Sequence, residues 1–414
     1  MTNRVVITGL GAITPIGNSV NEYWENLIQG KHGIAPITKF DASETGITLA
    51  AEVKGFDPSL TMDRKEYKRM DLFSQYAIAA SIEALKDAQL YPLDDKANTR
   101  RVGVMISAGI GGLNDIESGV IKMHEKGAKR VPPLFVPLTI GNMAAGNVSM
   151  KVGAKGVSLD IVTACASSSN AIGEAFRNIK HGYSDIIIAG GAEGTICQIG
   201  IAGFASLTAL STATNPNRAS IPFDKERDGF VMGEGAGVVI LESLEHALKR
   251  NAPIYAEIVG YGSNSDAYHM TAPTPDGSGA GEAILLALQE ANISPKDIDY
   301  INAHGTSTPT NDTAETKAIK YAFKEHAYHV AISSTKSMTG HLLGGAGGIE
   351  AIATIKALEK GILPPTANLH QIDDTCDLDY IPNIARQVNA KYALSHSLGF
   401  GGHNAILCFK KWED

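Results

Sequence analysis

The sequence predicts an α/β protein that consists of two similar halves. Short apolar runs alternate with helical patterns along the chain, an arrangement that is typical of helices layered on buried sheets. In each half a strand is followed by a cysteine or a histidine and then by a helix. A glycine-rich turn later precedes the last strand of that half. The chain of 414 residues is long enough for two domains. We therefore predict domains at residues 1–252 and 253–414, each corresponding to one half.

The apolar runs and the segments between them predict the individual elements. Strands are expected at residues 4–8, 102–107, 159–163, 185–189, 237–241, 254–262, 300–303, 330–333 and 405–410. Helices are expected at residues 70–88, 167–180, 281–291, 314–323 and 349–359. Because the strand segments are largely apolar, the sheet that they form should be mostly buried.

The composition excludes several classes of protein. Hydrophobic residues make up 44% and charged residues 19% of the chain, as in ordinary globular proteins rather than disordered ones. The net charge of −8 argues against nucleic acid as a partner. No apolar run reaches the ~18 residues that a membrane span needs, and the N-terminus lacks the pattern of a secretory signal. We therefore expect a cytoplasmic protein that binds neither membranes nor nucleic acid.

The cysteines and glycine-rich segments point to no metal and no cofactor. The four cysteines lie far apart without the spacing of a metal site, and free thiols suit a reducing compartment. The segment Gly9-Leu-Gly-Ala-Ile-Thr lacks the third glycine of the dinucleotide-binding motif. The sequence therefore predicts neither a metal site nor a cofactor site.

The segment Ile161-Val-Thr-Ala-Cys165-Ala-Ser-Ser-Ser-Asn170 places a cysteine between a predicted strand and a predicted helix. At a helix start the sulfur faces unpaired N–H groups and the positive end of the helix dipole, and both favour the nucleophilic thiolate. Small neighbouring residues would let a substrate reach the sulfur, as at other strand-turn-helix nucleophiles. The alternative is a small buried hydrophobic residue, which is the usual role of a free cysteine.

A second segment, Tyr300-Ile-Asn-Ala-His304-Gly-Thr-Ser-Thr, contains a histidine at the end of a predicted strand. Open α/β sheets bind their ligands at this position. Asp312 and Glu315 then have the spacing of a capping-box variant at the start of the next helix.

A third segment, from Ser334 to Glu350, combines Lys336, His341 and a carboxylate within one glycine-rich turn and helix start. These groups could donate, accept or hold a proton in a shared site. The alternative for each histidine is a structural residue held by hydrogen bonds.

Together, these motifs resemble those of the elongating β-ketoacyl-acyl carrier protein synthases. The matching segments are Thr163-Ala-Cys-Ala, Phe230-Val-Met-Gly-Glu-Gly-Ala-Gly, Asn302-Ala-His-Gly-Thr-Ser-Thr-Pro, Ser334-Thr-Lys-Ser-Met-Thr-Gly-His-Leu-Leu-Gly and Gly399-Phe-Gly-Gly-His-Asn. The resemblance extends from the first predicted strand to the last. It implies the thiolase-like fold, in which two similar α/β halves form five layers. It also implies a homodimer and acyl carrier protein as the partner.

The resemblance implies a decarboxylative condensation that elongates a fatty acid by two carbons. Cys165 would carry the acyl chain as a thioester. His304 and His341 would stabilise the enolate that forms when a malonyl thioester loses carbon dioxide. Lys336 would orient these histidines, with Glu350 as its partner.

The resemblance also assigns residues around the acyl chain. The N–H groups of Cys165 and Phe400 would form the oxyanion hole, and the Phe400 ring would gate the acyl pocket. Ile110 and Phe204 would line that pocket. The hydroxyl groups of two threonines would contact the pantetheine arm of the carrier protein, namely Thr306 and Thr308.

Two basic clusters could attract the acidic acyl carrier protein to an enzyme that is itself acidic. The resemblance places basic residues beside the tunnel mouth in both regions, whereas charge runs are otherwise ordinary solvated surface. The first cluster consists of Arg64, Lys65, Lys68 and Arg69, and the second of Lys126, Lys129 and Arg130.

One residue departs from the family pattern. The family commonly has asparagine at the position of His396. This region, with Asn302 and Glu350, holds a structural monovalent cation in some members. Because His396 puts that cation in doubt, we do not predict it.

Other proteins with this fold match the motifs less well. A thiolase needs a second catalytic cysteine near the C-terminus, and Cys408 falls within a predicted strand. Initiating and plant-type synthases have asparagine where this chain has His341. Two alternatives remain: a polyketide-type ketosynthase, and a non-catalytic partner subunit, although such subunits typically lack the cysteine.

Overall fold

The computed structural model describes residues 2–93 and 98–413. The strands are β1 (Val5–Ile13), β2 (Ala35–Pro36), β3 (Leu49–Ala50), β4 (Val102–Ser107), β5 (Ser158–Leu159), β6 (Ile186–Glu193), β7 (Gly235–Ser243), β8 (Ala256–Ser265), β9 (Tyr300–Asn302), β10 (Ala331–Ser333), β11 (Ile362–Leu363), β12 (Arg386–Gln387), β13 (Tyr392–Gly399) and β14 (His403–Lys411).

The α-helices are α1 (Val20–Ile28), α2 (Arg64–Tyr67), α3 (Leu72–Asp87), α4 (Leu113–Lys126), α5 (Phe135–Thr139), α6 (Met143–Val152), α7 (Ser167–Lys180), α8 (Gln198–Ser206), α9 (Pro216–Ala219), α10 (Leu244–Lys249), α11 (Ser278–Ala291), α12 (Pro309–Phe323), α13 (Lys336–Thr339) and α14 (Ala346–Lys360). Short 3₁₀ turns occur at Ser43–Thr45, Pro58–Leu60, Thr99–Arg101, Ala128–Arg130, Ala164–Ala166, Pro295–Asp297, Lys324–His329 and Leu343–Gly345. Among the described residues, none of the helices combines the length and apolarity that crossing a bilayer requires.

The main sheet repeats one strand order in the two halves of the chain. The first half contributes β5-β4-β6-β7-β1, and the second contributes β10-β9-β13-β14-β8. When the strands of each half are counted in chain order, both sets read third, second, fourth, fifth, first. The two sets join through a short antiparallel pairing of Val5–Ile7 in β1 with β8. The expectation of two similar halves is confirmed.

The helices arrange these strands in five layers. Helices α7 and α14 lie in the middle, where α7 contacts β4 and β6 on one side and β8 and β14 on the other. Helices α3 and α6 cover the outer face of the first set of strands, and α11 and α12 cover the second. Strands β1, β6 and β7 are buried along their whole length, as the apolar segments predicted. The expected thiolase-like layering is confirmed.

Glycines allow the central helices to approach the sheet closely. A Cβ atom on Gly237 of β7 would lie 2.2 Å from the backbone nitrogen of Ile349 in α14. A Cβ atom on Gly173 of α7 would lie 2.4 Å from the ring of Tyr261 in β8. Any larger residue would push the middle layer away from the strands, which explains part of the high glycine content.

The structure contains helices that were not expected, among them α1, α4, α6 and α8, and it also differs from the expected strands. The strand expected at 159–163 is only the two-residue β5, and residues 160–163 form no strand. Strand β13 was not expected, because Ser395, His396 and Ser397 interrupt its apolar pattern. These polar side chains are nevertheless buried. The predicted domain boundary lies between α10 and β8 and stays a prediction.

Candidate active site

Cys165 lies in the 3₁₀ turn Ala164–Ala166, immediately before α7. The preceding residue, Ala164, has a φ of +50°, a strained conformation for a residue other than glycine. The Ser167 hydroxyl fixes the turn, because it accepts from the Thr163 N–H at 2.9 Å and donates to the Ala164 carbonyl at 2.7 Å. The predicted position at a helix start is confirmed, and the strand expected directly before it is absent.

Two opposing effects act on the protonation of Cys165. The residue is only 8% exposed. Burial raises the pKa of the thiol to about 12, although the Lys336 ammonium and the Phe400 N–H act in the opposite direction. Burial therefore favours the thiol over the thiolate near neutral pH, against the tendency of the helix start. The helix start does not offset the loss of solvation that a charged sulfur would suffer here.

Cys165 and the two predicted histidines line one cavity. The rings of His304 and His341 are 5.3 Å apart and nearly perpendicular, with an interplanar angle of 86°. The cavity has a volume of about 290 Å³, and the predicted residues on its wall are Cys165, Phe204, His304, Thr306, Thr308, His341 and Phe400. Residues far apart in the chain therefore converge as their motifs predicted.

Lys336 and Glu350 lie behind His304 as a buried ion pair. Each side chain is only 1% exposed, and the ammonium contacts the Glu350 carboxylate directly. The Lys336 Nζ also lies 3.4 Å from Nδ1 of His304. Because an ammonium group only donates, His304 Nδ1 accepts and the ring proton belongs on Nε2. The predicted partnership of Lys336 with Glu350 is present in this geometry.

Both histidines are held neutral as donors from Nε2. Burial, followed by the Lys336 charge, lowers the pKa of His304 and of His341 well below the usual range. The Leu343 N–H donates to Nδ1 of His341 at 3.3 Å, which places its ring proton on Nε2 as well. The site thus presents two uncharged N–H donors to a shared cavity.

The turn after β13 brings a backbone N–H to the Cys165 sulfur. Gly399 permits this approach, because a Cβ atom there would lie 2.5 Å from the Thr163 carbonyl oxygen. The N–H of the next residue, Phe400, then interacts with the thiol. The Phe400 ring lies 6.4 Å from that of Phe204 on the cavity wall. These positions are compatible with the oxyanion and gate roles that the resemblance implies.

Ile110 is not brought to this cavity. Its side chain is 39% exposed, and its loop is held by hydrogen bonds from the backbone to Glu193. The two basic clusters are exposed on the surface and also lie outside the cavity wall. Their predicted roles stay predictions.

His396 is buried in β13. Its side chain points to α12, where Nδ1 is 3.1 Å from the carboxylate of Glu315. Ser397, with the opposite orientation in the strand, bonds to Ser169 of the middle helix α7 at 2.8 Å. His396 and Ser395 therefore face opposite sides of the sheet.

Polar atoms on the inner face of the same strands lack partners. Ser395 is in register with Asn302, and the side-chain oxygens of both have no hydrogen-bond partner among the described residues. The Oε2 atom of Glu350 also has no hydrogen-bond partner among the described residues. One carboxylate oxygen with neutral oxygens fits a monovalent cation, which Asn302, Glu350 and Ser395 would hold. In the described residues, no group of three or more His, Cys, Asp or Glu side chains is placed to bind a metal ion.

Sequence reasoning missed the role of Glu315. Its carboxylate accepts from the His304 and Gly305 N–H groups at 2.8 and 2.7 Å. It is not part of a capping box, because Thr308 caps α12. The sequence contains one signal for this role. A carboxylate occupies one of the apolar positions in the helix that follows the histidine motif. Glu315 thus fixes the backbone that carries His304.

Comparison with known proteins identifies the family of this chain. The model of the β-ketoacyl synthase N-terminal domain matches residues 2–247, and that of the C-terminal domain matches residues 255–370. This chain belongs to the β-ketoacyl synthase family. It is 53% identical over 411 residues to 3-oxoacyl-[acyl-carrier-protein] synthase 2 of Synechocystis sp. (strain ATCC 27184 / PCC 6803 / Kazusa), covering 99% of this chain and 98% of that protein. It is 52% identical over 410 residues to the protein of the same name from Staphylococcus aureus (strain N315), with 99% of both covered.

Solved β-ketoacyl synthases have the same fold. A β-ketoacyl synthase from Burkholderia phymatum STM815 superposes with a TM-score of 0.92 and 38% identity, over 99% of this chain and 100% of that one. A ketosynthase of a type II polyketide system, solved in complex with its acyl carrier protein, superposes with a TM-score of 0.93 and 36% identity over 100% of both chains. The expected family and fold are confirmed.

The raised pKa of Cys165 predicts how the synthase reacts with iodoacetamide. Only the thiolate is alkylated, so the rate at Cys165 should rise about tenfold per pH unit between about pH 7 and about pH 9, without a plateau. Mass spectrometry of the Cys165 peptide over time gives this rate. Cys197, whose pKa burial raises to about 11, serves as a second buried thiol in the same sample. A rate at Cys165 that levels off below about pH 8 would show a resting thiolate and contradict this account.

Proposed function

We propose that this synthase catalyses the decarboxylative condensation of malonyl-acyl carrier protein with an acyl chain carried on Cys165, and so elongates fatty acids by two carbons. The observation that carries this proposal is the shared cavity of one thiol and two neutral imidazole donors. The similarity to the synthase 2 proteins, 53% over nearly the full chain, supports the same reaction.

The first half-reaction transfers the acyl chain to Cys165. The sulfur attacks the thioester carbon, and the N–H groups of Cys165 and Phe400 stabilise the oxyanion. The bond to the carrier sulfur then breaks, and the thiol proton ends on the departing carrier thiol. Because Cys165 starts as a thiol, this proton must leave as the new carbon–sulfur bond forms.

The second half-reaction uses the two histidines. The malonyl carboxylate leaves as carbon dioxide, and the electron pair moves to the thioester oxygen as an enolate. The Nε2–H groups of His304 and His341 would donate to this oxygen. The enolate carbon then attacks the acyl carbonyl on Cys165, and collapse of the intermediate expels the sulfur. Uptake of one proton restores the thiol.

The remaining cavity residues would hold the substrates. The Thr306 and Thr308 hydroxyl groups lie 2.9 Å apart on the wall, where they could bind the amide groups of a pantetheine arm. Phe204 and Phe400 supply apolar surface for the acyl chain. Ile110 would lie farther along the acyl pocket than the cavity described here.

The alternative functions receive less support. The identity of 36% to the polyketide ketosynthase is well below the 52% and 53% to the synthase 2 proteins. A non-catalytic partner subunit would not need Cys165 in a cavity with two donors. For a thiolase, Cys408 is fully buried in β14 and is not on the wall of the cavity.

We also infer that the synthase forms a homodimer through the edge of its sheet. Strand β5 is the outermost strand of the first half and leaves one edge unpaired among the described residues. Leu159 in this strand is 45% exposed, and nearby Val162 is 59% exposed. An exposed apolar sheet edge is a favourable surface for pairing with a second copy. The edge thus supports the dimer that the family resemblance implies.

The proposed roles predict that the two half-reactions can be separated by substitution. Cys165→Ala should abolish acylation and condensation but leave malonyl decarboxylation, because the two histidines remain. His304→Ala or His341→Ala should lower decarboxylation by about 10²-fold, since each removes one donor to the enolate. Acyl transfer should be affected less. Mass spectrometry measures acylation, and carbon dioxide release measures decarboxylation.

The exposed His329 provides the control for the histidine variants. His329→Ala should keep both activities at the level of the unmodified synthase. An acyl adduct on the Cys165→Ala protein would contradict the assignment of the nucleophile. Unchanged decarboxylation in a folded His341→Ala protein would remove His341 from the mechanism.

The first basic cluster supports a docking surface for acyl carrier protein. Lys65, Lys68 and Arg69 are exposed around α2. The acidic residue among them, Glu66, is paired with Lys151 at 2.9 Å, so it does not cancel their charge. An acidic carrier protein would therefore meet local positive charge on an enzyme of net charge −8. Lys129 and Arg130 form the second part of this proposed surface.

Charge reversal tests the docking surface. The triple variant Lys65→Glu, Lys68→Glu, Arg69→Glu should raise the KM for carrier-bound substrates several-fold, and more so at low salt, because surface charges act on encounter and are screened. Short pantetheine thioesters should react as before. The control reverses Lys249, Lys296 and Lys391, which are exposed and not on the cavity wall, with the same change in net charge. Equal losses with both kinds of substrate, or in both triple variants, would rule out this docking surface.

A further inference from the structure

Glu193, the last residue of β6, is a fully buried carboxylate that the proposed reaction does not use. It accepts hydrogen bonds from four backbone N–H groups. These are the N–H groups of Gly109 at 2.8 Å, Ile110 at 3.2 Å, Gly111 at 3.0 Å and Gly344 at 3.1 Å. One side chain therefore holds two loops that are more than two hundred residues apart in the chain.

The first loop, residues 109–111, contains the predicted acyl-pocket residue Ile110. The second is the turn Leu343–Gly345, which directly follows the His341 segment. Within this turn, the Leu343 N–H donates to Nδ1 of His341 at 3.3 Å and so determines which nitrogen carries the ring proton. Glu193 thus connects a predicted specificity residue to a predicted enolate donor.

The two loops are in direct backbone contact. A Cβ atom on Gly344 would lie 2.0 Å from the Gly109 nitrogen and 2.8 Å from the Glu193 carboxylate. A Cβ atom on Gly109 would likewise lie 2.8 Å from that carboxylate. Because there is no room for a side chain at either glycine, one loop cannot move toward the other independently.

The chemistry of the junction requires a carboxylate. An ionised carboxylate offers acceptor sites on both oxygens, whereas a glutamine amide accepts on one oxygen and presents N–H groups on the other side. Burial raises the pKa of Glu193 to about 7, and the N–H groups of Gly111, Gly109, Gly344 and Ile110 act in the opposite direction. Burial therefore disfavours the charged carboxylate, and the backbone N–H groups that bond to it favour the charged form.

We propose that Glu193 is a positioning residue that couples the Ile110 loop to His341. Through the first loop it sets which acyl chain lengths are accepted, and through Gly344 and Leu343 it sets the donor geometry of His341. This inference rests on the proposed condensation activity and adds a residue that controls both half-reactions without touching the reacting atoms.

The test compares Glu193→Gln with a matched variant, Glu83→Gln. Glu83 is partly buried, accepts from the Ala12 and Val20 N–H groups at 2.8 Å each, and has its pKa raised to about 7 by burial. It does not line the active-site cavity. Both substitutions replace a carboxylate that accepts from backbone N–H groups by an amide of the same shape, so a purely structural effect should appear in both.

Three measurements are made on the full chain. Thermal unfolding gives the loss of stability, which should be similar in the two variants. Carbon dioxide release from malonyl-acyl carrier protein, measured in the Cys165→Ala background, reports the histidines alone. It should fall by about tenfold or more with Glu193→Gln only. Acylation by carrier thioesters of graded length should show a changed length preference with Glu193→Gln only.

Each outcome decides the matter. If Glu193→Gln folds and matches Glu83→Gln in decarboxylation, in length preference or in both, the coupling is refuted. If Glu193→Gln does not fold, Glu193→Asp keeps the charge with a shorter reach, and the same two activities must both change. A change in only one activity in that variant would also refute the coupling. Failure of the unmodified synthase to condense its substrates would instead refute the proposed function, independently of Glu193.

Discussion

The buried ammonium group of Lys336 determines the chemistry that this cavity can support. It lies between the Glu350 carboxylate and Nδ1 of His304, and both charged side chains are almost completely excluded from solvent. Removal of one member of such a pair leaves an uncompensated buried charge, which typically costs roughly 3–5 kcal/mol. Burial first and the same ammonium second lower the pKa of His304 and of His341, and the ammonium keeps Nδ1 of His304 as an acceptor. Stability and the tautomer of His304 therefore depend on one ion pair.

The two halves of the fold contribute different groups to the site. Each half has a 3₁₀ turn before its middle helix, and each turn begins with a residue at a φ of +50°, Ala164 in one half and Leu343 in the other. The central residue of the first turn is Cys165, and that of the second is Gly344. A side chain at Gly344 would collide with the Gly109 backbone, so the second turn cannot carry a nucleophile. It supplies backbone N–H groups to Glu193 and His341 instead.

The sequence predicted the parts of the site that depend on local patterns. Helix α7 has the expected bounds because its apolar spacing is local, and His304 follows its strand as the apolar run indicated. Strand β13 was missed because two of its buried polar residues bond to partners that are distant in the chain: Ser397 to Ser169, and His396 to Glu315. No local pattern reveals such pairing.

The charge state of Cys165 could not be predicted for a related reason. A helix start favours the thiolate, but the opposing cost of burial depends on how the second half of the chain covers the sulfur. Glu315 was likewise assigned to a cap, although its actual partners are the N–H groups of His304 and Gly305. In each case the local tendency was real, and long-range packing decided the outcome.

The most direct test of this account is nitrogen NMR of the synthase with isotope-labelled histidine, with resonances assigned through His304→Ala and His341→Ala. From about pH 6 to about pH 8, both rings should show the shifts of neutral imidazole with the proton on Nε2, because their pKa values lie well below this range. Replacement of Lys336 by methionine should move the His304 resonances and leave His341 with its proton on Nε2, where the Leu343 N–H keeps it. Imidazolium shifts for either ring at about pH 7, or a proton on Nδ1 of His304, would contradict the central claim.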